Sequence, residues 1–317
     1  MITLSEPLDL ILSSPLPLDQ NPARVYIATL GTGSGKRSQW QALQSIAQVI
    51  GTTPDEMNWS ALRYQHTAAI RSKLALTYAP ATANKMLSAI RQTLKQAWLL
   101  GQMSVDDYMR AAKLDPVTGE TVPAGRCLSS DEIKSMLDAC RQDGNQTAGR
   151  RDAAMIALMY IALLRREELA KLSLADYNPQ TGELRVSGKR SKERIGYVAN
   201  GAKNALDEWL AVRGSTAGAL FVAVSKSGKI PGFHHFTPQV VYNMIGKRSA
   251  QAGVENNSPH NFRRTGASDY LMAGVDVITV GKLGGWKNVQ TITLYDRRPE
   301  EAKRNAASLL HVPYQAR

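Results

Sequence analysis

The segment PHNFRRTGAS (residues 259–268) places His260 and Arg263 three positions apart in a stretch that is predicted to be helical. Side chains at this spacing lie on one face of a helix, so the two point in the same direction. They could bind a phosphate together, pair with a carboxylate or lie in a polar core. Arg264 points elsewhere, and we interpret it as a structural residue or as a backbone contact. The segment therefore predicts a helix with one face suited to binding an anion.

Further charged and aromatic side chains that could act together with this pair lie on both sides of the helix in the sequence. Tyr295 follows Arg263 by 32 residues and Trp286 by nine, and Arg165 lies far upstream with Glu168 three residues after it. A phosphodiester is the substrate that would bring two arginines, a histidine and a tyrosine to one point. Its transition state spreads negative charge over several oxygens, which planar guanidinium groups match with paired hydrogen bonds. Tyrosine can be the nucleophile if its phenol, with a pKa of about 10, loses its proton during attack.

Each of these signals also has a plainer interpretation. Arg165 follows an apolar helix and needs a partner or a path to water, and Glu168 could hold it by a charge-assisted bond. Arg166, Glu167 and Glu168 could instead be the solvated start of the next helix. Lys189 lies in a predicted hairpin turn, where its amine could reach into a groove or be solvated. Trp286 follows two glycines and could pack, although its indole N–H can also donate to a phosphate oxygen.

Composition limits the class of protein. With 317 residues the chain is long enough for two domains, and 43% hydrophobic with 21% charged residues indicates a substantial core. The net charge of +12 favours a polyanionic partner; the alternative is a basic cytosolic enzyme without a polymer partner. Cys127 and Cys140 are the only cysteines, too few for a disulfide framework and without metal-ligand spacing. A reduced cytoplasmic protein is the simplest expectation.

The N-terminal third of the chain is predicted to be a helical module. Residues 1–22 contain acidic residues and no continuous apolar core, so we expect a flexible arm and neither a signal peptide nor a membrane span. Residues 23–112 are expected to form helices over 39–51, with Ser38 as the N-cap, and over 59–76, 80–101 and 105–112. Basic residues along the middle helices are either DNA contacts or solvated charges: Arg63, Arg71, Lys73, Lys85, Arg91 and Lys95.

A linker and a second domain follow. Residues 113–126 carry two prolines and two glycines without periodicity, which predicts a linker. In residues 127–317, Ser129 and Glu132 form a capping box, and an apolar helix follows within 150–164. A β-hairpin is predicted from strands 183–186 and 194–198. Helices are expected over 201–212, 237–252, 260–272, 276–283, 289–295 and 300–310. The predicted fold class is therefore mainly α with a small β-hairpin, an α+β domain after an all-helical one.

The order and spacing of four segments resemble the tyrosine recombinase family, the phage-integrase and Xer-like enzymes. These segments are LLRREEL (163–169), SGKRSKER (187–194), PHNFRRTGAS (259–268) and LGGWKNVQTITLYDR (283–297). The resemblance covers about residues 127–310, and the preceding helices look like the family's core-binding domain. Trp286 stands where most members have histidine, although some active members have tryptophan.

The resemblance implies a role for each residue of the predicted site. Tyr295 would attack a backbone phosphorus and form a 3′-phosphotyrosine, while Arg165, Arg263 and Trp286 stabilise the charged transition state. Lys189 would protonate the leaving 5′-oxygen, and His260 would assist at the tyrosine. Glu168 would hold Arg165, and Lys192 and Arg264 are added to the predicted DNA contacts.

The implied activity is site-specific DNA recombination, for integration, excision or resolution of mobile or plasmid DNA. The partners would be a double-stranded recombination site and three further copies of the chain, joined into a tetramer through the C-terminal helix. We expect no membrane partner and a cytoplasmic, nucleoid-associated location. No cofactor is expected, because the phosphotyrosine conserves the bond energy and no cluster of acidic metal ligands is evident. The stretch GTGSGKR (31–37) lacks the glycine and the Ser or Thr that a nucleotide-binding loop requires.

Three alternatives share part of this pattern. A type IB topoisomerase uses a similar set of tyrosine, arginine and lysine residues but does not exchange partners. A DNA-binding accessory protein with a degenerate site is a second alternative, against which the complete residue set argues. A metal-dependent nuclease or transposase is less well supported, because suitably spaced acidic residues are absent from the sequence.

Overall fold

The chain divides into two compact units, Met1–Val122 and Pro123–Arg317. The computed structural model describes residues 10–31, 33–119, 125–188, 193–286, 288–293, 295 and 307. The division falls inside the segment for which the composition predicts a linker. Each unit has its own hydrophobic core, as two domains of this size require.

The N-terminal unit is helical over the residues that the structure describes. Its helices are α1 (Pro22–Ala28), α2 (Gly33–Ile50), α3 (Tyr64–Thr77), α4 (Pro80–Leu99) and α5 (Val105–Ala112). Apolar side chains at helical spacing on α2, α3 and α4 form the core, among them Leu43, Ile46, Ile70, Leu74 and Ile90, which are fully buried. Helix α2 begins at Gly33, so the predicted N-cap Ser38 lies inside the helix and not at its start.

The predicted flexible arm is wrong for its described part, residues 10–22. Leu10 is 1% exposed and belongs to the core of the N-terminal unit. The backbone N–H of Leu12 donates to the carbonyl oxygen of Glu56 at 2.7 Å, and the Asn21 side chain caps the first turn of α1. The apolar run from Leu10 to Leu12 is too short to show a helical period, so the sequence pattern does not reveal this packing.

Part of the predicted linker is also attached to the N-terminal unit. The carbonyl oxygens of residues 112–117 accept hydrogen bonds from the side chains of Arg71, Asn84 and Arg91, at distances from 2.5 to 3.3 Å. The Asn84 amide also accepts the backbone N–H of Val117 at 2.8 Å. Prolines and glycines disfavour regular structure, but their backbone carbonyl groups remain acceptors. The linker prediction for 113–126 therefore does not hold for 113–117.

The C-terminal unit is mainly helical with one hairpin, which confirms the predicted fold class. Strands β1 (Glu183–Ser187) and β2 (Glu193–Tyr197) are antiparallel, with Ser187 opposite Glu193. The predicted capping box at Ser129 and Glu132 is present. The helices are α6 (Ser130–Arg141), α7 (Gln146–Ile161), α8 (Arg166–Leu169), α9 (Asn200–Arg213), α10 (Pro238–Ala252), α11 (Pro259–Met272), α12 (Val277–Gly284) and α13 (Val289–Thr293). Of the predicted helix 300–310, only Ala307 lies within the described residues, and it is helical.

Helix α7 is the central element of this unit. It is buried along most of its length and contacts α6, α9 and α11. The sequence predicts an apolar helix within 150–164, and α7 ends at Ile161, because Leu163 has a left-handed backbone with φ 51°. A residue with a Cβ pays about 1–2 kcal/mol for this conformation. The turn directs the chain toward α8 and away from the α7 axis.

A buried ion-pair network ties α10 to α7 and to the turn before it. Arg248 on α10 is 0% exposed, and its Nε and Nη2 donate to Asp152 Oδ2 at 2.9 and 2.6 Å. Its Nη1 donates to Asp143 Oδ2, which also accepts from the exposed Lys247 at 2.8 Å. Arg151 pairs with the other oxygen of Asp152. Paired in this way, the buried charges are compensated.

In the described part of the chain, no helix has both the length and the apolar character needed to cross a membrane.

Candidate active site

Four of the predicted catalytic side chains line one cleft of the C-terminal unit. The cleft has a volume of about 1270 Å³ and is bounded by α8, by the end of β1 and the start of β2, and by facing parts of α11 and α12. Arg165, His260, Arg263 and Trp286 line it. Residues that lie more than 120 positions apart in the sequence therefore face the same space.

Arg165 lies at the N-terminus of α8, at the mouth of the cleft. Its side chain is 44% exposed, and its Nη1 donates to Glu168 Oε1 at 2.6 Å. The other oxygen of Glu168 accepts the backbone N–H of Arg165 at 2.9 Å. Burial raises the pKa of the Glu168 carboxyl, but the charges of Arg194 and Arg165 and these hydrogen bonds outweigh it, so the net pKa is below its ordinary value. The carboxylate therefore orients the guanidinium, as the sequence predicts.

Arg263 forms the floor of the cleft and is 1% exposed. Its Nη1 donates to the carbonyl oxygen of Leu163, and its Nη2 donates to that of Gly284 at 2.7 Å. Burial lowers the pKa of Arg263 to about 9, and the charge of Arg165 acts in the same direction. At neutral pH the group still carries its positive charge. A desolvated cation held between backbone carbonyl groups is suited to binding an anion that enters the cleft.

Trp286 covers Arg263 from the other side. The Arg263 Cζ lies 3.7 Å from the centroid of the indole ring, a cation–π contact. A Cβ atom at Gly284 would lie 1.8 Å from the ring, so only glycine fits beneath it. Gly285 takes a left-handed backbone with φ 65°, which turns the chain back at the end of α12. The two glycines thus position the indole.

Tyr295 is buried to 7% exposure with its hydroxyl close to His260. The Tyr295 Oη lies 3.4 Å from His260 Nε2, and the ring centroids of Trp286 and Tyr295 are 5.8 Å apart. Surrounding protein lowers the pKa of the His260 imidazole by desolvation, and the positive charges of Arg263, Arg264 and Arg165 lower it further. Neutral His260 is therefore favoured at pH 7, with a lone pair available for a proton.

Arg264 is largely buried beside the predicted nucleophile. It is 7% exposed, its Nη1 donates to the carbonyl oxygen of Gly125, and its Cζ lies 5.1 Å from the centroid of the Tyr295 ring. These contacts agree with a structural role, one of the interpretations that the sequence allowed. The DNA contact of Arg264 stays a prediction.

The hairpin turn that carries Lys189 and Lys192 lies outside the described residues. Ser187 and Gly188 before it and Glu193 after it line the cleft. The roles of the two lysines stay predictions. Arg194, directly after this segment, is a largely covered residue of the cleft wall, which the sequence pattern predicts only as the start of a strand. Its partners lie 26 to 89 positions away, so spacing carries no signal for it.

The predicted DNA contacts of the N-terminal unit differ in their surroundings. Lys73, Lys85 and Lys95 are exposed. Arg63 pairs with Asp107 at 3.3 Å and donates to two backbone carbonyl groups. Arg71 and Arg91 hold the backbone of residues 112–117, as described above. The lysines therefore keep their charge available at the surface, whereas the arginines are engaged within the unit.

Comparison with known proteins identifies the family. The sequence model described as "Phage integrase family" matches residues 126–301, more than half of the chain. The chain belongs to this family of tyrosine recombinases. It is 34% identical over 218 residues to tyrosine recombinase XerC of Actinobacillus succinogenes, covering 66% of this chain and 68% of that protein. It is 30% identical over 242 residues to XerC of Azotobacter vinelandii, covering 75% and 76% of the two chains. The predicted enzyme class, a site-specific recombinase, is confirmed.

Solved structures support the same fold. A lambda integrase dimer bound to a COC′ core site matches with a TM-score of 0.65 at 14% identity, over 90% of this chain and 80% of that one. The XerH site-specific recombinase bound to a palindromic difH substrate matches with a TM-score of 0.63 at 16% identity, over 92% and 94%. At these identities the likeness concerns the architecture of the tyrosine recombinases and not individual residues.

Proposed function

We propose that this recombinase cleaves and rejoins double-stranded DNA at a specific site through a 3′-phosphotyrosine at Tyr295. The observation that carries the proposal is the placement of the Tyr295 hydroxyl 3.4 Å from His260 Nε2, beside a cleft lined by Arg165 and Arg263. A candidate nucleophile and a proton acceptor thus lie beside a cleft that carries two cations, and phosphoryl transfer depends on such positioning and charge stabilisation.

The nucleophile is activated by the neighbouring imidazole. When the Tyr295 oxygen attacks phosphorus, its proton passes toward His260 Nε2, which accepts because the lowered pKa keeps the ring neutral. The new bond joins phosphorus to the tyrosine oxygen, and the bond to the 5′-oxygen of the next nucleotide breaks. That oxygen leaves as a hydroxyl after taking a proton, which we assign to Lys189.

Two guanidinium groups stabilise the charge that develops on the phosphoryl oxygens. Arg165 lies at the exposed mouth of the cleft and is oriented by Glu168, so it can meet a phosphate without rearrangement. Arg263 lies buried below, where low polarity strengthens its field. Trp286 stacks on Arg263 and offers its indole N–H, which can donate a hydrogen bond but cannot take a proton. Trp286 therefore belongs to charge stabilisation in this scheme.

Charge and relatives support DNA as the substrate and a multimeric complex as the active state. The net charge of +12 favours a polyanion, and exposed lysines remain on the N-terminal unit. A lambda integrase tetramer bound to a Holliday junction matches this chain with a TM-score of 0.65. We extend both properties to this protein, with the tetramer joined through the C-terminal helix. The biological task in this proposal is integration, excision or resolution of mobile or plasmid DNA.

The decisive experiment is a search for a covalent protein–DNA adduct. The full chain is incubated with nicked and intact duplex DNA from the flanks of its own gene, and an adduct that survives SDS is sought. Tyr295→Phe is the test variant, and Tyr197→Phe, an exposed tyrosine on β2, is the matched control. We expect an adduct with wild type and the control but not with Tyr295→Phe. An adduct that persists in Tyr295→Phe would show that the nucleophile is a different residue.

Two further outcomes separate the alternatives. Relaxation of a supercoiled plasmid without any special site would favour a topoisomerase. Tight binding without an adduct on any DNA would favour an accessory protein that has lost catalysis.

Addition of EDTA to the wild-type reaction tests the proposed independence from metal ions, and we expect the adduct yield to be unchanged.

A further inference from the structure

Arg194, the second residue of β2, joins three parts of the cleft wall. Its side chain is 11% exposed. Its Nε donates to the carbonyl oxygen of Leu283 at 2.7 Å, and its Nη2 donates to Glu168 Oε2 at 3.1 Å. Nη2 also lies 3.3 and 3.4 Å from the carbonyl oxygens of Ala162 and Leu163. One guanidinium group thus connects the hairpin to α8, to the turn after α7 and to the end of α12.

The carboxylate that Arg194 contacts is the same one that orients Arg165. Glu168 accepts from Arg165 through both of its oxygens, at 2.6 and 2.9 Å, and Arg194 shares the second of these oxygens. A carboxylate with a partner on each side has little freedom to rotate. Without Arg194, Glu168 would keep the more exposed Arg165 side chain as a partner but would lose the one that lies within the cleft wall.

The carbonyl groups that Arg194 contacts are the same as, or next to, those that accept hydrogen bonds from Arg263. The Leu163 carbonyl accepts from both arginines, and Leu283 directly precedes Gly284, whose carbonyl accepts from Arg263 at 2.7 Å. The stem of Arg194 packs on the same turn, because a Cβ atom at the next residue, Gly285, would lie 3.1 Å from Arg194 Cδ. The turn that leads to the indole above Arg263 is therefore held by Arg194 from below.

Only an arginine can make this set of contacts. Its planar fork donates from Nε to one acceptor and from Nη2 to others at fixed angles, whereas a lysine ammonium is a single point at the end of a flexible stem. A direct contact between Arg194 and a DNA phosphate is the competing role. Against it, the two nitrogens named here already donate within the protein, and the side chain is almost completely covered.

We propose that Arg194 is a positioning residue for DNA cleavage, which aligns Arg165 through Glu168 and fixes the Leu283–Gly285 turn beside Arg263. This inference rests on the proposed function. Because a misplacement of about 1 Å away from the reacting atoms can cost about 100-fold in rate, we expect Arg194→Gln to lower the cleavage rate by about 10- to 100-fold. Arg194→Lys, which keeps the charge but not the fork, should fall between wild type and Arg194→Gln.

The test measures single-turnover adduct formation on nicked duplex DNA from the gene flanks at saturating DNA, with DNA affinity and the melting midpoint recorded in parallel. Arg185→Gln is the matched control, because Arg185 lies on β1 of the same hairpin with an exposed side chain. We expect the control to form the adduct at the wild-type rate. We expect Arg194→Gln to form it more slowly, with a DNA affinity within about twofold of wild type.

A double-mutant cycle with Glu168→Gln distinguishes positioning from a purely structural role. If Arg194 acts through Glu168, the double variant should be no more than about threefold slower than the slower single variant. If Arg194→Gln shows no adduct although it is folded and bound, the cycle is measured with Arg194→Lys.

Several results would overturn the inference. The first is a wild-type rate in Arg194→Gln. The second is a rate defect that disappears at saturating DNA or that is explained by a loss of DNA affinity. The third is a double variant whose rate reduction equals the product of the rate reductions of the two single variants. Failure of wild type itself to form any adduct would instead contradict the proposed function, and this inference with it.

Discussion

Gly266 on α11 lies one turn after Arg263, at the closest approach between α11 and the end of α7. A Cβ atom there would lie 2.2 Å from the carbonyl oxygen of Tyr160 and 2.7 Å from Leu163 Cδ2. Ordinary contact begins near 3.4 Å, so Gly266→Ala requires α11 to move away by roughly 1 Å. The obstacle is backbone, which cannot rotate away as the end of a flexible side chain can.

The magnitude follows from two opposing terms. Overpacking of a rigid site costs about 3 kcal/mol at the upper end of its usual range, whereas alanine is favoured over glycine within a helix by about 1 kcal/mol. The net loss is about 2 kcal/mol, which corresponds to a fall of about 4–8 °C in the melting midpoint of a unit of this size. The displacement also lengthens the hydrogen bond from Arg263 to the Leu163 carbonyl, so we expect cleavage to slow by about 10- to 100-fold at temperatures where the variant is folded.

The assay is thermal unfolding of the full chain followed by circular dichroism, together with the adduct assay. Gly246→Ala on α10 is the matched control, because no atom lies within 4 Å of a Cβ placed at this exposed helical glycine. The control should melt at the wild-type temperature or above it. If Gly266→Ala were as stable and as active as Gly246→Ala, the close approach of α11 to α7 would be refuted.

Two further predictions concern buried charge and pH. Arg248→Met leaves Asp152 and Asp143 without their shared cation, so we expect thermal unfolding to show a loss of about 3–5 kcal/mol in stability. Lys247→Met is the control, because Lys247 is a half-exposed partner of Asp143, and it should cost no more than about 1 kcal/mol. A similar small effect for both would contradict the buried network. The pKa of His260 is lowered from its ordinary value of 6.5 by desolvation and neighbouring arginines, so the neutral ring persists below that pH. The rate of wild-type adduct formation should therefore stay constant from pH 7 to pH 6.5 and fall only at lower pH. This fall should be absent in His260→Asn. If the midpoint of the fall lay at or above pH 6.5, the imidazole would not be shielded in this way.

Much of the local structure follows from the order of residues. The hairpin, the capping box at Ser129 and the described helices from α9 to α13 are predicted within a few residues of their observed bounds. These features depend on apolar period, turn residues and caps, all of which are local properties of the chain. The errors occur where one or two long-range contacts decide the conformation, as with Leu10 in the predicted arm and the 112–117 backbone in the predicted linker.

The sequence by itself indicated the family of this protein, because two arginines, a histidine and a tyrosine stand in an order and spacing that resemble the tyrosine recombinases. Only the tertiary structure decided how these groups are held. The left-handed backbone at Leu163 presents one carbonyl group to Arg263, 100 residues away. Arg194 reaches Leu283 across 89 residues, and burial turns Arg264 inward to the tyrosine. Such contacts depend on how helices pack in three dimensions, and no local pattern of residue types encodes them.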